Sequence, residues 1–179
     1  MQLKWYEKYK SPFETNFFYD IAVEEKKTTQ KFKTFNYEIH GDGHILWKTT
    51  SNELLKKISD NFDIDVNDVM YWESHSTKGL MPHVDPRSKN IEGNYNSGNL
   101  IIPLYGNTRT SIWGDYEHYD ENNAVMFENF EQGKTPIATI EHSPGDIVAL
   151  DISRCIHSVE ILTEYRLIIV ARLKNYEFK

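Results

Sequence analysis

The 179-residue sequence contains a single cysteine, no long apolar run and no excess of basic residues. Because Cys155 has no second cysteine to pair with, an internal disulfide is excluded and the fold requires no oxidising compartment. No apolar stretch approaches the roughly 18 residues that a membrane helix needs. The first residues, MQLKWYEKYKSPFE, are charged and lack the apolar segment of a secretory signal. These absences predict a cytoplasmic protein with no membrane contact.

The charge balance is acidic, with 27 Asp and Glu against 20 Lys and Arg and a formal net charge of −7. Acidic residues concentrate in AVEEKK (22–27) and DYEHYDENN (115–123). A surface that binds nucleic acid is usually basic, so we do not expect a nucleic-acid partner. The sequence gives no prediction of the oligomeric state.

The length suits one domain covering 1–179, which we divide into an N-terminal support region (about 1–66) and a core (about 67–174). The first 30 or so residues show no clear periodicity, and we expect them to wrap over the main sheet. A helix is predicted in TSNELLKKISDNF (50–62), where Thr50 stands three residues before Glu53 in a capping-box spacing.

From about residue 68 the pattern changes to short segments rich in β-branched and aromatic residues, separated by turn residues. About eight such strands after a helical region predict a mainly β jelly roll, a double-stranded β-helix, with the helical region packed on a sheet. An immunoglobulin-like sandwich is the alternative, but it offers no reason for the N-terminal helix. The predicted strands are DVMYWESH, NLIIPLYG, TSIWGD, AVMFENF, TPIATIE, DIVALDI, CIHSVEIL and YRLIIVARL.

The segment GLMPHVDP (79–86) places His83 and Asp85 two positions apart, so that both side chains point to one face of a strand. Such a pair is frequent by chance, and a surface turn fixed by Pro82 and Pro86 is the alternative interpretation. Neither proline can donate a hydrogen bond to a sheet, which favours the end of a strand. The pair is therefore a candidate for half of a metal site.

A third ligand is expected from His157, which lies within the apolar strand CIHSVEIL, whereas the turn histidines His40 and His44 flank GDG. The following strand, YRLIIVARL, contains Arg166, and an unpaired charge in a core is costly. A hairpin centred between Thr163 and Glu164 would set Ile161 opposite Arg166. The period of two would then point Arg166 into the same cavity as His157.

Two histidines and one carboxylate on one face form the ligand set of non-haem Fe(II) oxygenases, which leaves coordination positions open. Ligands of nitrogen and oxygen, with no thiolate, suit Fe(II) better than a structural zinc. A guanidinium behind the metal favours a planar carboxylate, so the gap suits a short dicarboxylate.

Four motifs in order resemble the Fe(II)/2-oxoglutarate-dependent oxygenase superfamily, over about residues 68–173. The motifs are HVD (83–85), PGDIVALD (144–151), IHSV (156–159) and YRLIIVARL (165–173). The compact size and the leading MPHVD are most similar to the prolyl 4-hydroxylase-like branch. The resemblance implies a double-stranded β-helix, cupin-like in form.

The resemblance also implies that His83, Asp85 and His157 are the catalytic metal ligands and that Arg166 holds the distal carboxylate of 2-oxoglutarate. The implied cofactors are Fe(II), 2-oxoglutarate and O₂, with ascorbate as a further candidate. The implied reaction is hydroxylation of an unactivated C–H bond with release of succinate and CO₂. The substrate is expected to be a peptidyl-proline or another peptidyl side chain. The alternatives are a free amino acid or small metabolite, a non-catalytic cupin-like metal-binding module, and a zinc hydrolase.

Family members often place a hydroxyl beside the arginine, and the Arg-x-Ser version of that pattern is absent here. The candidates for this second cofactor contact are Asn99 or Ser97 and Tyr71, with a packed strand aromatic as the alternative for Tyr71. The segment 86–98 is a candidate lid or a plain connection. Arg109 and Trp113 either line the mouth of the cavity or are, respectively, solvated and buried.

Overall fold

The structure, a computed structural model, describes residues 5–32, 37–40, 43–118 and 120–178, without the side chains of 30–32 and 37–40. The predicted turn at 41–43 lies largely outside the described residues. None of the described helices is both long and apolar enough to cross a membrane. The elements are β1 (Tyr6–Lys10), α1 (Thr15–Phe32), β2 (Tyr37–His40), β3 (His44–Lys48), α2 (Asn52–Ser59), β4 (Ile64–Ser74), β5 (Leu80–Val84), β6 (Gly98–Tyr105), β7 (Thr108–Asp115), β8 (Val125–Met126), β9 (Ala138–His142), β10 (Asp146–Leu150), β11 (Cys155–Ile161) and β12 (Arg166–Leu173).

The strands form two antiparallel sheets. A seven-stranded sheet has the order β1-β10-β6-β12-β4-β3-β2, and a five-stranded sheet has the order β8-β5-β11-β7-β9. Consecutive strands thus alternate between the sheets over much of the chain, which is the connectivity of a jelly roll. The mainly β prediction is confirmed.

The seven-stranded sheet is apolar on both faces. On β12, Leu167, Ile169 and Ala171 pack into the core on the outer side of the sheet, together with Phe18 of α1 and Leu54 of α2. The alternate residues of β12 face the five-stranded sheet. This double burial explains why YRLIIVARL reads as an almost continuous apolar run, since both faces of the strand are covered.

Helix α1 corrects the prediction that the first 30 residues are irregular. Four apolar residues at helical spacing pack against the core on the outer side of the seven-stranded sheet: Phe17, Phe18, Ile21 and Ala22. The density of aromatic residues on either side of this face obscured the period. On the helix, Glu25 accepts hydrogen bonds from the hydroxyls of Tyr71 and Thr49 and thereby fastens α1 to the sheet.

Helix α2 occurs where it was predicted, but its cap differs. Ser51, and not Thr50, is the N-cap, because its hydroxyl accepts a hydrogen bond of 3.2 Å from the backbone N–H of Leu54. The N–H and hydroxyl of Thr50 instead donate to Glu25 of α1. A tertiary partner for Thr50 thus replaces the local capping box.

The predicted hairpin between β11 and β12 is wrong. Ile161 pairs with Thr108 on β7, whereas Arg166 pairs with Ser74 on β4, so the two strands belong to different sheets. The short segment 162–165 carries the chain from one sheet to the other. Arg166 still faces the space between the two sheets. It lies on the sheet opposite His157, not on a neighbouring strand of the same sheet.

Candidate metal centre

The ends of β5 and β11 bring together three side chains that could hold a metal ion. His157 of β11 pairs directly with His83 of β5, and their ring centroids are 4.3 Å apart. Asp85 follows β5, and its backbone N–H donates to the carbonyl of Ile152, which turns its carboxylate toward both rings. One ligand atom from each of the three residues lies within 4.8 Å of the other two.

Local backbone contacts fix which nitrogen of each imidazole faces the shared point. Nδ1 of His83 lies 2.7 Å from the carbonyl of Met81, and Nδ1 of His157 lies 3.2 Å from the carbonyl of Cys155. A carbonyl oxygen only accepts hydrogen bonds, so both Nδ1 atoms carry the proton. Each Nε2 therefore presents a lone pair, and each lies 3.6 Å from an oxygen of Asp85. Backbone carbonyls that hold a histidine in this way are the usual support of a metal ligand.

The charge states also suit a metal. Burial lowers the pKa of His83, as does the nearby His157, so the ring favours the neutral form that a metal needs. Burial alone would raise the pKa of Asp85. The contact with His157 and the charges of His157, His83 and Arg172 outweigh it, and the pKa is about 2. The site therefore offers two imidazole nitrogens and one carboxylate, a set that fits a divalent first-row metal.

Behind these residues a cavity runs between the sheets toward Arg166. This arginine is only 3% exposed, and within the described residues its one side-chain hydrogen bond is the 3.3 Å contact from Nη2 to the hydroxyl of Ser74. Its Nε is buried without a partner, and among the described residues no carboxylate pairs with it. Burial lowers the pKa of Arg166 to about 10, so the group remains charged at neutral pH. A buried, unpaired guanidinium is costly unless an anion joins it.

His142 and Thr110 complete this deep end, and sequence reasoning missed both. Both residues line the cavity with Arg166. Nε2 of His142 lies 3.2 Å from the Thr110 hydroxyl, while Nδ1 is buried with no partner in the described part of the chain. Burial, Arg166 and Lys8 lower the pKa of His142 to about 4, against the opposing charge of Asp146. The signal available in the sequence was the alternation of β7, in which Thr108, Thr110 and Ile112 share the inner face.

The candidates for a second cofactor contact are placed differently. Asn99 lines the cavity near the metal ligands, but its amide oxygen accepts from Arg172. The hydroxyl of Ser97 donates to the carbonyl of Leu173. Tyr71 is fully buried on the outer face, where its ring stacks on Trp47. Its neighbour Trp72 lines the cavity instead, because adjacent residues of a strand point to opposite faces.

The other mouth candidates lie on the outside of the five-stranded sheet. Arg109 bonds to Glu141 and Glu160 at the surface. Trp113 donates through Nε1 to the hydroxyl of Ser158. The segment 86–98 closes on itself through a bridge between Lys89 and Tyr95.

Solved structures with the same fold include E. coli ycfD, which is 17% identical over 97% of this chain and 50% of its own, with a TM-score of 0.55. A structure of YcfD, a ribosomal oxygenase from E. coli, in complex with cobalt and 2-oxoglutarate is 18% identical over 80% of this chain and 36% of its own, with a TM-score of 0.49. The formate complex of Lactobacillus farciminis oxalate decarboxylase is 12% identical over 80% and 32%, with a TM-score of 0.44. The chain spans half or less of the length of each of these proteins.

No protein-family model matches the chain, and no curated protein matches it. The likeness to ycfD shows the fold, and the predicted jelly roll is confirmed. The fold is the one that the sequence motifs implied for an Fe(II)/2-oxoglutarate oxygenase, with a His-Asp-His group at the mouth of the barrel.

Proposed function

We propose that the protein is an Fe(II)/2-oxoglutarate-dependent oxygenase that hydroxylates an unactivated C–H bond. One observation carries the proposal: the cavity behind His83, Asp85 and His157 ends at a buried guanidinium with no carboxylate partner among the described residues. A zinc hydrolase or a simple metal-binding module has no use for such a cation. A ligand that binds the metal at one end and presents a carboxylate at the other removes the cost of burying Arg166.

The chain's own residues would divide the work as follows. His83, Asp85 and His157 would hold Fe(II), which supplies O₂ activation coupled to the oxidative decarboxylation of 2-oxoglutarate to succinate and CO₂. Arg166 would bind the distal carboxylate, positioned by the hydroxyl of Ser74. The apolar walls between the two ends would exclude water from the reacting groups.

His142 and Thr110 are better placed than Asn99 or Tyr71 to complete the carboxylate site. The neutral imidazole can accept a hydrogen bond at Nε2 from Thr110 and donate one from Nδ1. In that tautomer, Nδ1 of His142 and Nε of Arg166 are two buried donors without a partner among the residues that the structure describes. Two such donors at one end of a cavity favour an anionic acceptor.

The test is anaerobic addition of Fe(II) and 2-oxoglutarate, followed by visible absorption. We expect a weak charge-transfer band that is lost in His157→Ala and weakened in Arg166→Ala. The matched control is Arg109→Ala, which removes an arginine from the outer surface and should keep the band. Absence of a band in the unaltered protein, with preferential binding of zinc, would contradict the proposal.

A further inference from the structure

Strand β12 carries a second arginine at the other end of its cavity-facing side. Arg166, Ile168 and Val170 line the cavity, and Arg172 continues the same alternation. Arg172 pairs with Asn99 of β6, and its Nη1 donates to the Asn99 side chain. The six residue steps from Arg166 to Arg172 place the two side chains roughly 20 Å apart along the strand. One cation thus stands at the deep end and another on the side of the metal ligands.

Arg172 lines a narrow crevice that adjoins the metal ligands. It begins at Pro86, directly after Asp85, and shares Ile152 with the main cavity. The carbonyl of Ile152 is also the acceptor that positions Asp85. The polar residues that line the crevice are Arg87, Ser88, Asn96, Ser153 and Arg172.

The guanidinium of Arg87 has no ion-pair partner among the described carboxylates. It lies 4.7 Å from the centre of the Tyr95 ring, which supports it by a cation–π contact. The nearby Asp151 is already engaged, because its carboxylate accepts a 2.7 Å bond from Arg154. The Arg87 guanidinium is therefore available to an anionic ligand.

Arg172 and Ser88 in the crevice have unused hydrogen-bond donors. Arg172 uses Nε for Asp68 and Nη1 for Asn99, which leaves Nη2 without a hydrogen bond within the described part of the chain. The Nδ2 of Asn96 donates to the Ser88 hydroxyl oxygen. The hydroxyl of Ser88 keeps its own proton to donate. Two guanidinium groups and a hydroxyl donor form a carboxylate receptor.

We propose that this crevice binds a carboxylate of the substrate, so that the substrate is a carboxylic acid oxidised at a carbon near that group. The inference rests on the proposed function for the oxidation, but the binding itself depends on Arg87 and Arg172. The carboxylate comes either from a free amino acid or from the C-terminal residue of a peptide. This chemistry favours an acid over an internal prolyl side chain, which carries no carboxylate.

Calorimetric titration tests the crevice without turnover. The proteinogenic L-amino acids, their α-amides and their N-acetyl derivatives are titrated into the purified protein, and also into protein loaded anaerobically with Fe(II) and 2-oxoglutarate. We expect at least one acid to bind about tenfold more tightly than its amide, because a charge-assisted contact is lost in the amide. Binding that survives N-acetylation identifies a peptide C-terminus, whereas loss on N-acetylation identifies a free amino acid.

The variants assign the contact to the crevice. Arg87→Gln should weaken binding of the acid about tenfold, and Arg87→Lys should weaken it less because the charge remains. Arg109→Gln removes an arginine from the outer surface and should bind like the unaltered protein. Circular dichroism of each variant confirms that the fold is kept.

The results separate this inference from the proposed function. If acids and amides bind alike, if no acid binds, or if Arg87→Gln binds like the unaltered protein, the crevice is not a carboxylate site, whatever the iron band shows. If acids bind selectively but no iron band forms, the crevice stands and the oxygenase proposal fails.

Discussion

Gly79 lies against the backbone of Val159, and a Cβ atom at residue 79 would stand 1.8 Å from the Val159 carbonyl oxygen. Only glycine permits this approach, which lets β5 pair with β11 and sets His83 opposite His157. Between the pairs Leu80–Val159 and His83–His157, β5 contains one more residue than β11. Pro82 lies in this bulge, where its missing N–H costs little. The close approach therefore determines the geometry of the metal ligands.

Gly79→Ala should displace β5 and weaken metal binding together with stability. The methyl group meets backbone, which cannot turn away as a side chain does, so we expect a loss of about 1–3 kcal/mol in the free energy of unfolding. Urea unfolding and metal titration measure the two effects. Gly114→Ala on β7 is the control, since a Cβ there meets nothing within 4 Å. Equal behaviour of the two variants would show that the close approach does not hold the site.

Glu25→Ala should loosen helix α1 from the seven-stranded sheet. The substitution leaves the hydroxyl of the fully buried Tyr71 without its acceptor at 2.7 Å and also removes the acceptor of Thr50. We expect a loss of about 1–3 kcal/mol by urea unfolding, because buried polar groups become unsatisfied. Glu24→Ala is the control, since Glu24 is exposed and its contact with Lys27 is 3.6 Å long. A Glu25 variant as stable as the Glu24 variant would contradict this role.

His142 should make stability fall in mild acid. In the unfolded chain the imidazole takes up a proton near pH 6.5, whereas burial and Arg166 keep it neutral in the folded protein until about pH 4. The unfolded state then binds more protons between these values, so stability is full above pH 6.5 and declines toward pH 4. The pKa difference corresponds to roughly 3 kcal/mol.

The comparison with His142→Gln isolates this effect. Urea unfolding from pH 8 to pH 4 should show a shallower decline in the variant. Measurement at pH 8, where the imidazole is neutral in both states, gives the packing cost of the substitution alone. Parallel pH profiles for the two proteins would show that His142 does not resist protonation.

The deep carboxylate site should select the length of its ligand. If 2-oxoglutarate spans from the metal ligands to Arg166, oxaloacetate is one methylene too short and 2-oxoadipate one too long. We expect each to bind about tenfold more weakly, measured by competition against the iron charge-transfer band. In Arg166→Ala this discrimination should disappear. Equal affinity for all three acids in the unaltered protein would contradict a fixed span.

The sequence predicted the parts of the site that depend on local spacing. The two-residue step between His83 and Asp85 and the position of His157 in an apolar strand required only the period of a strand, and the structure brings these residues together. Arg166 became a candidate because a charged residue within an apolar strand is costly to bury without a partner. The partner strands of β11 and β12 were not predictable in this way, because LTEY suits a hairpin and a crossing between sheets equally well.

His142 and Tyr71 both show that sequence spacing alone does not determine which side chains reach the cavity. His142 precedes a turn and resembles a loop residue, and only the pairing of β9 with β7 brings it to Thr110 and the cavity. Tyr71 is adjacent to Trp72, which lines the cavity, but its side chain points to the opposite face of β4. Register decides both cases, and register depends on strands that are distant in sequence.

The crossing of the chain between β11 and β12 puts His83 and His157 on one sheet and Arg166 on the other. The distance between the two sheets, about 10 Å in such folds, then sets the length of a ligand that can bridge them. Core substitutions that thicken or thin the layer between the sheets would therefore change which diacid fits, without altering any residue that touches its ends.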